Sequence, residues 1–160
     1  MQAIPYTPIG VIRSPFTTQA GMPIQTVAAH DTTATIEIAP EYAAGLNDID
    51  GFSHLFLIVR LHQALPGALE VTPYLDTQPR GIFATRRPRR PNPIGLSLVR
   101  LLRVDGAVLH IADIDVLDGT LVLDIKPYVP LFDDRAAARI GWFADNLYKV
   151  QNIRADERFR

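Results

Sequence analysis

The chain has 160 residues with 48% hydrophobic and 21% charged side chains, which fits one globular domain with at most a short appendage and excludes a disordered chain. It contains no cysteine, which excludes disulfides, iron–sulfur clusters, thiolate zinc sites and cysteine nucleophiles. The formal net charge of −1, taken as a sum, argues against a strongly basic nucleic-acid-binding protein.

Short β-type segments are predicted over the first three quarters of the chain, each rich in Val, Ile, Leu or Thr and bounded by turn residues. In chain order they cover residues 4–13, 34–38, 54–61, 81–85, 96–104, 107–114 and 121–128. The pair Asp105-Gly106 predicts a two-residue hairpin turn between two of them. Helical patterns cover only 40–46 and 136–151, and the second is either continuous or interrupted near Gly141. Many short strands with 13 prolines and 10 glycines favour a mainly β barrel or sandwich.

Several common catalytic patterns are missing from the sequence. No Gly-x-Gly pair is present, which excludes the dinucleotide fingerprint and the glycine-rich methyltransferase loop of doubly wound folds. Because the four histidines are scattered along the chain, we expect no metal site. The N-terminus has no signal-peptide pattern and no apolar run approaches the roughly 20 residues of a membrane span, so we expect a cytoplasmic protein without a membrane partner.

An acid-free block of seven arginines lies between Arg80 and Arg103, and seven acidic residues follow between Asp105 and Asp134. Of the 16 basic residues 14 are arginine, the residue best suited to bidentate binding of phosphates and carboxylates. Three prolines at 88, 91 and 93 stiffen this loop, which favours a preorganised anion site. The alternative is a solvated basic loop whose prolines protect a sheet edge.

Two shorter motifs each allow two interpretations. Asp118-Gly119-Thr120 is either an ordinary turn or a grip on a ribose diol or an amino group. His62-Gln63, at the end of an apolar strand, either caps that strand with hydrogen bonds or belongs to a binding site. Trp142 is predicted to be a packing anchor rather than a base-stacking platform.

A series of longer motifs runs in order from about residue 6 to residue 135. They are Ile9-Gly-Val-Ile-Arg13-Ser-Pro-Phe16, Gly51-Phe-Ser-His54-Leu, His62-Gln63, Gly81-Ile-Phe-Ala-Thr-Arg86, Arg90-Pro-Asn-Pro-Ile-Gly95-Leu-Ser97, Leu117-Asp-Gly-Thr120 and Asp124-Ile-Lys-Pro-Tyr128. Together they resemble the TrmO, or TsaA-like, family.

The resemblance implies a tRNA methyltransferase that uses S-adenosylmethionine to methylate N6 of threonylcarbamoyladenosine at position 37, in the anticodon loop. It implies a mainly β fold, a single-sheeted β-barrel, and a homodimer, and the apolar spacing in 136–151 adds a C-terminal helix. We therefore expect a TsaA-like barrel domain over 1–135 and a helical tail over 136–160 packed on or beside it. This matches the short form of the family, without the C-terminal domain of many bacterial members. Alternatives are a non-catalytic RNA-binding module, or a methyltransferase of the same fold with another substrate.

The resemblance also assigns site residues. The expected cofactor-binding residues are Pro23, Ile24, Gln25, His62, Gln63, Arg86, Leu96, Leu117, Asp118, Gly119 and Thr120. Arg86 serves either the cofactor carboxylate or a substrate phosphate, and Leu96 and Leu117 are expected to pack on the adenine.

The expected tRNA-binding residues are Arg13, Arg87, Arg89 and Arg90. Arg87 departs from the family, where serine is usual, and makes the loop more basic. No catalytic residue is assigned. Asn92 is a candidate by analogy with the Asn-Pro-Pro element with which other amino-methyltransferases accept a hydrogen bond from an exocyclic amine.

Overall fold

Eight β-strands form in residues 2–23, 25–65 and 67–149, the part of the chain that the computed structural model describes. They are β1 (Gly10–Arg13), β2 (Thr33–Ile38), β3 (His54–Arg60), β4 (Glu70–Val71), β5 (Arg80–Gly81), β6 (Ile94–Asp105), β7 (Val108–Ala112) and β8 (Leu121–Pro127). A single short α-helix, α1 (Pro130–Asp133), follows the last of these strands. Turns of 3-10 helix cover Thr26–Ala28, Pro40–Leu46, Ile49–Gly51, Ile82–Ala84, Gly141–Phe143 and Leu147–Lys149.

Six of these strands close into one barrel in the order β1-β2-β7-β6-β3-β8, and each neighbouring pair is antiparallel. The short strands β4 and β5 pair separately, outside the barrel. Closure removes the exposed edges that an open sheet of this length would present. The prediction of a mainly β, single-sheeted barrel is confirmed.

The barrel interior is filled by alternate residues of each strand. On β3, Leu55, Leu57 and Val59 are fully buried, whereas the residues between them are half-buried. Side chains of a strand point alternately to its two faces, so this pattern places one face of β3 against the core. Each buried Leu or Val stabilises the fold by about 1.5–3 kcal/mol.

Strand β6 changes face through a bulge. The register with β7 shifts between Leu101 and Arg103, so Leu102 is an extra residue and is half exposed. Because of this insertion, Leu101 and Val104 both pack against the core although they are three positions apart. The 12-residue strand β6 therefore packs side chains against the core on both sides of the bulge.

The hairpin predicted at Asp105-Gly106 is confirmed, with Asp105 paired to Val108 and Gly106 at a φ of +59°. The strand predicted over 81–85 is wrong. Residues Ile82–Ala84 form a 3-10 turn instead, because Ile82 is buried and its carbonyl accepts a hydrogen bond from the Thr85 hydroxyl at 2.8 Å.

The long helix predicted over 136–151 is wrong for residues 136–149, which contain two short 3-10 turns, and residues 150 and 151 lie outside the described part. Gly141, near the predicted interruption, takes a φ of +58°, which a continuous α-helix does not allow. The other helical prediction, 40–46, forms as 3-10 helix. Within the described ranges, no helix is long and apolar enough to cross a bilayer.

The three long connections of the barrel all leave it at one end, which we call the site end. They are residues 14–32 between β1 and β2, residues 61–93 between β3 and β6, and residues 113–120 between β7 and β8. In an antiparallel barrel these three junctions fall on the same rim. The opposite rim carries the β6–β7 hairpin and residues 39–53.

Candidate functional site

The residues predicted to bind a cofactor gather at the site end, although more than 90 positions separate the first from the last. Pro23 and Gln25 lie in the first long connection, and His62, Gln63 and Arg86 lie in the second. Residues 117–120 lie in the third connection, and Leu96 is the third residue of β6. Ile24 lies outside the described residues. The topology therefore brings the described members of the predicted set to one rim.

Two long polar contacts join these connections to one another. The Arg86 Nη1 donates to the Gln25 Oε1 at 3.5 Å, which links the first connection to the second. The Thr120 Oγ1 lies 3.5 Å from the His62 Nδ1, which links the second connection to the third. Both distances are at the upper limit of hydrogen bonding, so these side chains are held only loosely.

The turn formed by Asp118 and Gly119 is anchored to the end of β1. The backbone N–H of Ser14 donates to the Asp118 Oδ1 at 3.1 Å, and the Gly119 N–H donates to the Ile12 carbonyl at 2.9 Å. Gly119 has a φ of +75°, a conformation that favours glycine. Asp118 thus has a structural role in this turn, and its contact with a ribose or an amino group stays a prediction.

The two leucines expected to pack on the adenine are placed differently. Leu96 is 57% exposed and presents an apolar surface at the first residues of β6, as a stacking partner must. Leu117 is only 8% exposed, and its adenine contact also stays a prediction. The structure favours Leu96 as the apolar contact.

The arginine loop, residues 85–93, is ordered by its own side chains. Thr85 is buried, and its hydroxyl accepts a hydrogen bond from the Arg87 N–H at 3.4 Å. The Arg90 Nη1 donates to the Thr85 carbonyl at 3.3 Å and to the Arg87 carbonyl at 3.5 Å. Gly67 lies against this loop, since a Cβ there would be 2.5 Å from the Arg90 carbonyl carbon. These contacts favour the preorganised loop over the solvated one.

Among the predicted tRNA-binding residues, the Arg13 Nε lies 3.1 Å from the Glu37 Oε2 on the barrel wall, and Arg90 donates to the Thr85 carbonyl within the arginine loop. Arg87 and Arg89 are half-buried. Asn92 is exposed, and its carbonyl accepts a hydrogen bond from the Ile94 N–H at 2.7 Å. Their roles in binding or catalysis stay predictions.

Trp142 supports the arginine loop from outside. Its Nε1 donates to the Ala84 carbonyl at 2.8 Å, and the Arg80 guanidinium lies 5.7 Å from its ring. The Arg80 Nε and Nη2 both donate to the Asp76 Oδ2, and these hydrogen bonds lower the pKa of Asp76. Trp142 is therefore a packing anchor, as predicted, and what it anchors is the turn that precedes Arg86.

Two further carboxylates at the site end, those of Asp31 and Asp113, form ion pairs with the Arg100 side chain. Arg100 Nε donates to the Asp113 Oδ2 at 2.6 Å, and its Nη2 donates to Asp31. Hydrogen bonding to Arg100 lowers the pKa of Asp113. His30 also lies within 4.8 Å of both carboxylates, a proximity that the scattered sequence positions did not indicate. The role visible here is an ion-pair network that ties two connections to β6.

Asp115 is the site-end residue that the sequence analysis missed. Its Oδ1 accepts a hydrogen bond from the Ser97 hydroxyl at 2.7 Å, and Ser97 is only 3% exposed. Burial raises the pKa of Asp115, while the Ser97 hydrogen bond and the nearby positive charge of Arg86 act in the opposite direction. Asp115 therefore lies close enough to Arg86 to interact with its charge. No pattern in the sequence distinguishes Asp115 from the neighbouring Asp113.

Residues 11–134 match the family model described as the tRNA-methyltransferase O N-terminal domain. A probable S-adenosyl-L-methionine-binding protein of Pyrococcus abyssi is 51% identical over 154 residues, which cover 96% of this chain and 84% of that protein. The tRNA (adenine(37)-N6)-methyltransferase of Escherichia coli is 37% identical over 140 residues, which cover 81% of this chain and 60% of that protein.

Solved structures give the same likeness. A crystal structure of TrmO from Pseudomonas aeruginosa superimposes with a TM-score of 0.74 at 38% sequence identity. The superposition covers 88% of this chain and 63% of that one. The present chain thus spans somewhat less than two thirds of the solved protein and of the Escherichia coli relative.

Proposed function

The chain belongs to the family of the tRNA-methyltransferase O N-terminal domain, and on that premise we propose that it methylates N6 of the adenosine at position 37 of tRNA with S-adenosylmethionine as methyl donor. The proposed acceptor is the threonylcarbamoyl form of that adenosine in the anticodon loop. The observation that carries this proposal is the convergence of the predicted cofactor residues, drawn from three separate connections, at one rim of the barrel.

The residues at the site end fit the chemical groups of the methyl donor. Arg86 is an exposed cation suited to the carboxylate of the amino-acid end, and its Nη1 lies 3.5 Å from the Gln25 Oε1. Asp118 with the Gly119-Thr120 backbone suits a ribose diol or an ammonium group, and Leu96 suits the adenine ring. When bound, S-adenosylmethionine supplies an electrophilic methyl group on a sulfonium centre.

The protein contributes mainly orientation to a methyl transfer, because donor and acceptor must be aligned in line. The arginine loop is held in one shape by Thr85 and Arg90, and Trp142 fixes the turn before Arg86. A site whose groups are already in place loses little freedom when both substrates bind.

The tRNA is attracted by the arginine loop within the acid-free block, since Arg80 and Arg100 of the same block are paired with Asp76 and Asp113. This block begins at Arg80 and lies partly on the site end, next to the cofactor residues. Phosphate contacts by arginine position an RNA without reading its sequence. An unstacked base 37 then reaches the site end, as single-stranded loops allow.

The experiment that tests the proposal is methyl transfer with purified components. The recombinant chain is incubated with S-adenosylmethionine and tRNA that carries threonylcarbamoyladenosine at position 37, and digested nucleosides are analysed by mass spectrometry. We expect one added methyl group on that nucleoside and none on tRNA that lacks the threonylcarbamoyl group. RNA binding without methylation would instead establish a non-catalytic binding module, and methylation of another nucleoside would establish another substrate.

A homodimer in the cytoplasm is part of this proposal. Phe83 is 78% exposed and Leu69 is 68% exposed, both in the connection that carries the arginine loop. Large apolar side chains of this kind suit an interface with a second copy. Sedimentation of the purified chain tests the dimer, and a monomer at micromolar concentration would contradict it.

A further inference from the structure

We infer that Asp115 accepts the proton released from the acceptor nitrogen during methyl transfer. This inference rests on the proposed function. It starts from the position of Asp115 at the site end, between the buried residues Ile114 and Val116, with its carboxylate hydrogen-bonded to Ser97 at 2.7 Å.

The other acids of the same connection have evident structural partners. Asp113 is bound by Arg100 and by the Asp31 N–H, and Asp118 is bound by the Ser14 N–H. Asp115 accepts a hydrogen bond from a hydroxyl group, an interaction that an uncharged Asn would make equally well. A structural role therefore does not account for a carboxylate at this position.

The surroundings of Asp115 suit a proton acceptor. Burial makes the carboxylate more basic than an exposed aspartate, and the nearby Arg86 keeps its charged form accessible. A base works best when its proton affinity lies near the operating pH, so partial desolvation beside one cation is favourable. Arg86, the cation that acts on Asp115, is also a predicted cofactor-binding residue, so the base and the donor share one site.

The reaction balances with this assignment. A bond forms between the acceptor nitrogen and the methyl carbon, and the bond from that carbon to the sulfonium sulfur breaks, its electron pair staying on sulfur. The nitrogen loses its proton to the Asp115 carboxylate, which becomes a neutral carboxylic acid. The positive charge of the sulfonium thus ends on the transferred proton, which the Asp115 carboxylate neutralises.

The decisive variant is Asp115→Asn, with Ser97→Ala as its matched control. Asp115→Asn keeps the acceptor for the Ser97 hydroxyl but cannot take a proton, so kcat should fall by about 100-fold to 10,000-fold. Its dissociation constant for S-adenosylmethionine, measured by calorimetry, should stay within about threefold of wild type. Ser97→Ala removes the hydrogen bond that Asp115→Asn keeps but leaves the carboxylate, and its kcat should fall by less than about tenfold.

A readout independent of turnover comes from carboxyl carbon NMR of the free protein. The signal that disappears in Asp115→Asn should titrate above the ordinary aspartate range near 3.9, and should move higher still in Ser97→Ala. An Asp115→Asn enzyme within threefold of wild-type kcat overturns the inference, and so does an Asp115 signal that titrates below the ordinary range. Loss of S-adenosylmethionine binding in Asp115→Asn overturns it as well, because Asp115 would then be a ligand of the donor. If the wild-type chain methylates no tRNA, the proposed function itself has failed, a result distinct from these.

Discussion

Gly67 sets the position of the arginine loop, and replacing it with alanine should displace that loop. A Cβ at position 67 would be 2.5 Å from the Arg90 carbonyl carbon and 2.8 Å from the Arg90 Cα. Ordinary van der Waals contact begins near 3.4 Å, so the Arg90 backbone must move away by about 0.9 Å. Backbone cannot rotate aside as a flexible side chain does, so the hydrogen bonds from Arg90 to Thr85 and Arg87 should lengthen.

A misplacement of about 1 Å can reduce an oriented reaction by roughly 100-fold, and we expect Gly67→Ala to lower kcat/KM for tRNA methylation by about 10-fold to 100-fold. Gly81→Ala is the matched control. It lies in the same connection, has a φ of −60°, and its Cβ would meet nothing within 4 Å. Steady-state methylation kinetics and thermal melts of both variants make the measurement. Wild-type kcat/KM in Gly67→Ala would falsify the link between loop position and activity, and an equal loss in Gly81→Ala would contradict it as well.

Three further predictions follow from the site end. Asp118→Ala should weaken S-adenosylmethionine binding in calorimetry and lower stability by about 1 kcal/mol, because the Ser14 N–H loses its acceptor; Asp118→Asn retains that acceptor, and unchanged affinity in Asp118→Ala would remove the ligand role. Arg100→Met should lower the melting temperature at neutral pH, whereas the difference from wild type should vanish in acid. Arg100 lowers the pKa of Asp113, so its stabilisation is present above the ordinary aspartate pKa near 3.9 and is lost as the pH falls through the lower folded value; a pH-independent difference would refute this origin. Binding of tRNA should weaken steeply with salt despite the net charge of −1, and a flat plot of log K against log salt would contradict the arginine block as the RNA surface.

Much of the barrel can be predicted from residue patterns because its strands are half-buried. The β-type segments predicted over 34–38 and 54–61 correspond closely to β2 and β3, and the Asp-Gly pair locates the β6–β7 hairpin. The predicted helix over 136–151 failed for residues 136–149, because Gly141 takes a φ of +58° and the Trp142 Nε1 bonds to the Ala84 carbonyl, 58 positions away.

Residue types alone marked the arginine block, His62-Gln63 and residues 118–120 as candidates, but only the family motifs added residues such as Pro23 and Leu96 and joined them into one site. Their convergence depends on which ends of the strands meet, and closure of the barrel decides this. Asp115 escaped notice because its hydrogen-bond partner, Ser97, lies 18 positions away on β6. The alternation Asp113-Ile114-Asp115 carries no sign that one acid binds Arg100 while the other binds Ser97.

The barrel is closed by a short seam. Strand β1 has four residues and pairs with β8 at only two register positions, whereas β3 and β6 pair at seven. A seam with so few hydrogen bonds should open locally at a lower free energy than global unfolding, and its amides should exchange with solvent first among the barrel strands.

The bonds of the Gly119 N–H to Ile12 and of the Ile12 N–H to Thr120 extend this seam into the turn that is predicted to hold the methyl donor. A ligand bound there would also close the barrel more firmly. The exchange rates of the Ile12 and Gly119 amides would therefore report whether the methyl donor is bound at the site end.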